Sequence, residues 1–93
     1  MTTKRALKMK SGEIVPAGAR ITPGPNDRQG HVHGARPEPY LVRYSALAKA
    51  PTVQTLDKWN DDGIAKSVNG KKVEPDGHDD DGFPSWFLAL GLI

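Results

Sequence analysis

The chain reads as an α+β fold, and three observations carry that expectation. In the first 44 residues, short runs of β-forming side chains alternate with turns rich in Gly and Pro. Between Thr52 and Glu74, a helical stripe leads into an Asn-Gly hairpin signal. The last eleven residues, 83–93, are the most apolar stretch, with Trp86, Ala89, Leu90 and Ile93 at helical spacing. One domain is expected across 1–93, with a β-barrel half in 1–50 and a helix–hairpin–helix half in 51–93.

Each element follows from local chemistry. Ala6-Leu7-Lys8-Met9-Lys10 alternates apolar and basic residues, the pattern of a half-buried strand, and Ser11-Gly12 turns it. Glu13-Ile14-Val15 is a second strand closed by Pro16-Ala17-Gly18, and Ala19-Arg20-Ile21 begins a third. Pro23 to Gly30 carries only loop signals. His31-Val32-His33 suits a strand with Val32 inward. Tyr40-Leu41-Val42-Arg43-Tyr44 is the clearest strand, with Leu41 and Arg43 on one face and Tyr40, Val42 and Tyr44 on the other. Ser45 to Ala50 suits one helical turn. Strands this short and closely spaced predict a small antiparallel SH3-like β-barrel, with residues 12–18 as its diverging turn.

In the second half, Thr52 is the expected N-cap of a helix ending near Asn60, with Val53, Leu56 and Trp59 along one stripe. Gly63 is the expected left-handed terminator. Ile64–Val68 and Lys71–Glu74 flank Asn69-Gly70 as a hairpin. An acidic loop, residues 78–82, leads into the apolar tail, where Pro84 suits the first turn of a helix. That helix is apolar all round, so it must be buried on more than one face. Trp59 and Trp86 are the expected core anchors. A tail buried in a second copy, giving a homodimer through the C-terminal helix, is the alternative.

Composition removes several functions. No cysteine is present, which excludes disulfides and thiolate zinc sites and suits a reducing cytoplasm. The basic N-terminal stretch has no apolar core of the kind a signal peptide needs, and no run approaches the ~20 apolar residues of a membrane span. A cytoplasmic protein without a membrane partner is expected. The charge is divided: residues 1–50 hold nine Lys/Arg against three Asp/Glu, and residues 51–93 hold four against eight. Such a division serves either an internal interface or a polyanion-facing half.

The chemistry-bearing clusters are sparse. Asp76, Asp79, Asp80 and Asp81 crowd together, but a calcium loop with Gly82 at its sixth position would begin at Gly77, which offers no carboxylate. His31, His33 and His78 lack a third ligand at metal-site spacing. Ser11, Ser45, Ser67 and Ser85 show no nucleophile elbow, and no Gly-rich phosphate loop is present. No catalytic residue, metal or cofactor is therefore expected. The candidate partner-binding residues are Trp59, Trp86, Tyr40, Tyr44, Arg43, Lys71 and Lys72. The leading expectation is a non-enzymatic protein-binding or regulatory protein. The alternative is nucleic-acid binding by the basic half, with Tyr40 and Tyr44 as stacking surfaces.

Two resemblances accompany these readings. Leu56-x-x-Trp59 followed by the Gly70 hairpin resembles small winged-helix DNA-binders of the phage excisionase kind over Thr55 to Glu74. Asp57, Asp61, Asp62 and Glu74 stand where phosphate would approach and count against it. More broadly, Leu56-x-x-Trp59, Asp62-Gly63, Asn69-Gly70-x-x-Val73-Glu74-Pro75-Asp76-Gly77 and Gly82-x-Pro84-Ser85-Trp86-x-Leu88-Ala89-Leu90-Gly91-Leu92-Ile93 resemble small uncharacterised bacteriophage and prophage proteins. That likeness implies a bacterial cytoplasm and a host or phage protein as partner.

Overall fold

A computed structural model describes residues 1–9 and 12–93; Lys10 and Ser11, expected at the end of the first strand and in its turn, lie outside the described residues. In chain order the elements are β1 (Leu7–Lys8), β2 (Ile14–Val15), β3 (Arg20–Pro23), β4 (Gln29–His33), β5 (Tyr40–Arg43), α1 (Tyr44–Leu47), α2 (Val53–Asp62), β6 (Ala65–Lys66), β7 (Lys72–Val73) and α3 (Trp86–Ala89). The fold is α+β, but the strands form three separate antiparallel sheets, β1-β2, β3-β4-β5 and β6-β7. The expected SH3-like barrel is not closed among the described residues. β1 and β2 pair only with each other, so among the described residues no ladder joins this hairpin to an edge of the central meander.

Strand β4 begins at Gln29, inside the stretch that carries only loop signals. Gly30 pairs with Pro23 on one side and Val42 on the other. The missing side chain makes room for Tyr44: a Cβ at Gly30 would lie 2.7 Å from the Tyr44 ring and 3.0 Å from Ile21. Tyr44 is fully buried and meets Phe83 edge-on, with ring centroids 6.1 Å apart. This contact joins the sheet of the first half to the apolar stretch of the second.

Helix α2 is capped as its sequence dictates. The Thr52 hydroxyl accepts from the Thr55 N–H, and Gly63 ends the helix at φ +69°. The helix runs two residues past Asn60, carrying Asp61 and Asp62 in its last turn, where the dipole disfavours them. Leu56 is buried, Trp59 is half-buried against Phe87, and Val53 is exposed. The Asn69-Gly70 hairpin forms, but not with a two-residue turn in which both central residues have positive φ. Gly70 alone is left-handed, and the Ser67 N–H donates to the Lys71 carbonyl across a three-residue loop.

The apolar tail folds as a much shorter helix than its spacing predicts. Ser85 caps α3 by accepting from the Leu88 N–H, so the helix starts two residues after Pro84. Its end is a Schellman turn: Leu92 N–H donates to Phe87 O and Gly91 N–H to Leu88 O, with Gly91 at φ +72°. Phe83, Trp86, Phe87 and Ala89 join the core, whereas Leu92 and Ile93 are exposed. Trp86 is 5% exposed within the single chain. Trp86→Ala is therefore expected to cost about 3–5 kcal/mol in denaturant unfolding. Unchanged stability with altered self-association in sedimentation would refute the tail's placement in the core.

Candidate functional site

The structure scatters the seven residues expected to bind a partner. Trp86 and Tyr44 are buried in the core and present no surface. Trp59 is half-buried beside Phe87. Lys71 and Lys72 sit on the β6-β7 hairpin, and Tyr40 and Arg43 bound β5.

At the hairpin, Lys71 is committed to the acidic loop. Its ammonium donates to Asp80 and Asp81, at 2.7 Å each, which raises its pKa and lowers that of Asp80. Asp79 is bonded through both oxygens: Oδ2 accepts from the Ser67 hydroxyl at 2.7 Å, and Oδ1 accepts from the Asp81 and Phe83 N–H groups. Asp79, Asp80 and Asp81 lie close enough to share an ion; Lys71 pairs with Asp80 and Asp81, while Asp79 is held by neutral donors. His78 bonds Asp27 at 2.7 Å, and His33 bonds the Thr22 hydroxyl at 2.8 Å, so the histidines serve separate contacts.

A more open surface surrounds α1. On one side, a groove of about 560 Å³ runs between the N-terminal segment and α1. Its floor includes Met1, Leu7, Ile21, Leu47 and Val68, and its charged residues are Lys4, Arg5 and Lys49. On the other side, a groove of about 780 Å³ lies between β5 and the β1-β2 hairpin. Lys8, Arg36 and Arg43 line it, with Glu13 as its acidic residue. Arg36 forms an ion pair with Glu13 and covers the Tyr40 ring at 4.0 Å. Among the described residues, Lys4, Arg5, Lys8, Arg43 and Lys49 have no carboxylate partner within salt-bridge distance. The basic half of the sequence foretold this excess of positive charge. The grooves themselves carry no local sequence signal, because each joins residues far apart in the chain.

The second groove follows the edge of a sheet. Tyr44 N–H donates to Arg28 O. With the observed register, this makes Gly30–Val42 and Val32–Tyr40 the hydrogen-bonded pairs of β4 and β5. The N–H and C=O of Leu41 and the N–H of Arg43 therefore point outward. The opposite edge of the sheet is covered: Thr3 N–H donates to Ala19 O and Ile21 N–H to Met1 O. No such cover exists for β5 among the described residues.

The chain matches no protein-family model, no curated protein and no solved structure. No helix among the described residues is long and apolar enough to cross a membrane.

Two measurements check this geometry. In hydrogen exchange, the Leu41 and Arg43 amides are expected to exchange at least about tenfold faster than those of Val42 and Tyr44. Equal protection of all four would mean that the β5 edge is covered. The second concerns the two tyrosines. Burial foremost raises the Tyr44 pKa, and burial with the nearby Glu13 charge raises that of Tyr40. The folded hydroxyls thus keep protons that an unfolded tyrosine, with an ordinary pKa of 10.0, releases. Stability is fully present below pH ~10 and declines as pH rises above it. The Tyr44 hydroxyl is buried without a hydrogen-bond partner. Tyr44→Phe should stay within about 1 kcal/mol of the parent at neutral pH, or exceed it, and should lose less stability in alkali.

Proposed function

We propose that this chain is a small, non-enzymatic binding protein whose partner is another protein, engaged on the face around α1. The observation that carries this reading is the pair of open grooves on either side of Ala46, with unpaired cationic side chains along them and an apolar floor in the first. An apolar floor within a charged border suits a protein segment that buries apolar side chains and carries carboxylates. The likeness to small phage and prophage proteins supports a host or phage protein as the target, and a regulatory role for its capture.

Nucleic-acid binding is the second reading, favoured by the same unpaired cations. Its stacking surfaces are poorly available: Tyr44 is buried, Arg36 covers the Tyr40 ring, and Trp59 packs against Phe87. On the hairpin, Lys71 is already held by two carboxylates.

Affinity capture from a bacterial lysate, with and without nuclease, separates the two. A specific protein that survives nuclease, together with negligible affinity for random DNA at physiological salt, is expected. Direct DNA binding that falls steeply with added salt, and captured proteins that vanish with nuclease, would overturn the protein-directed reading.

A further inference from the structure

We propose that the outer edge of β5 accepts an extended, acidic segment of a partner protein as an added strand. This inference deepens the protein-binding reading and rests on it. The sheet has two edges, and the chain treats them differently. Along β3, Thr2 bridges Arg20, and Met1 and Thr3 exchange backbone hydrogen bonds with Ile21 and Ala19. Along β5, the outward backbone groups of Leu41 and Arg43 meet the groove instead, and all four residues of the strand line it. The pairing of β5 with β4 runs without a bulge from Tyr40 to Arg43, and the strand holds no proline. Two common devices that stop a further strand from pairing are therefore missing.

The side chains beside this edge select the occupant. Leu41 is 40% exposed, next to Arg43 on the same face. An incoming strand places alternate side chains on that face. An apolar residue would meet Leu41, and a carboxylate two residues away would meet Arg43. Lys8 and Arg36 lie along the same groove, and its one carboxylate, Glu13, is paired with Arg36. A second copy of this chain would bring its own Lys8, Arg36 and Arg43 against this set, and like charges oppose that pairing. An acidic segment is attracted by the same residues. Four strand residues correspond to about 13 Å of extended chain, so four or five partner residues suffice.

The probe is a blocked octapeptide that alternates Thr with Val and Glu in turn, titrated into the isotopically labelled full chain at low salt. The Leu41 and Arg43 amide signals are expected to shift, and their hydrogen exchange to slow by about tenfold or more. Methylating the peptide nitrogens that face β5 removes strand hydrogen bonds, and should weaken binding about tenfold or more. Lys in place of Glu should weaken it as well. On the protein side, Leu41→Pro deletes an outward donor while leaving the β4 ladder intact, and should abolish these shifts. Should that variant fail to fold, the methylated peptide carries the same test.

Shifts confined to Met1–Lys4 and Lys49 would overturn strand addition and leave the protein-binding reading standing. So would a nuclease-resistant partner that binds Leu41→Pro as tightly as the parent. Equal affinity for the plain and methylated peptides would remove the backbone contact that defines the proposal. Displacement of the peptide from β5 by oligo(dT) at physiological salt would assign the edge to nucleic acid and overturn both.

Discussion

The rest of the fold depends on the seating of the Tyr44 ring over Gly30 and against Phe83. Tyr44 stands where β5 becomes α1, so its ring anchors the sheet and the helix that follows. Gly30 has no side chain, and the ring occupies the space that a Cβ would need. Phe83 meets the ring edge-on, an arrangement the aromatic quadrupole favours. Through Phe83 the contact reaches Pro84, Ser85 and the start of α3, all buried. The hydroxyl has no hydrogen-bond partner, so it gives back part of what the ring contributes. Tyrosine is here an apolar body whose polar end is poorly served.

How legible this was depends on the range of the interaction. Thr52 and Gly63 bound α2 through hydrogen bonds a few residues long, and both were readable. So was β5, whose alternation put Leu41 and Arg43 on the open face. The strand at Gln29-Gly30 was not, because a glycine in a loop-like run gives no hint of an aromatic ring fourteen positions away. The closed barrel failed for a related reason: spacing announces strands but not whether their edges meet. The tail helix was overestimated, since apolar spacing took no account of Ser85 as a cap or Gly91 as a stop. Of the candidate surface, Tyr40 and Arg43 were singled out from the sequence and Lys8 belonged to the basic half offered to nucleic acid, whereas the part played by Leu41 and the groove itself required the pairing.

The acidic loop illustrates how a chemical motif is absorbed by structure. Four aspartates within six residues suggest a cation. The Ser67 hydroxyl instead ties Asp79 to the hairpin while itself accepting from the Asn69 and Lys71 N–H groups. The Asn-Gly turn is thereby fastened to the loop that leads into α3. Ser67 is fully buried, so these bonds satisfy polar groups that water cannot reach. Lys71 then bridges the outer two carboxylates. The same interactions remove one of the two hairpin lysines from any surface offered to phosphate.

The uneven charge of the two halves admitted an internal explanation, in which the basic half holds the acidic half. The structure uses little of it. The His78–Asp27 hydrogen bond crosses between the halves, whereas the Lys and Arg ion pairs among the described residues each lie within one half. The acidic half satisfies its loop from its own Lys71, and the basic half keeps most of its cations free around α1. Folding alone does not require them there: exposed, unpaired charges of one sign raise the energy of a compact state through mutual repulsion. Their field instead extends into solvent, where it raises the encounter rate with an anionic partner and weakens with salt. Because that field lies along an unpaired sheet edge, charge and backbone would act on the same visitor, the first in its approach and the second in its register.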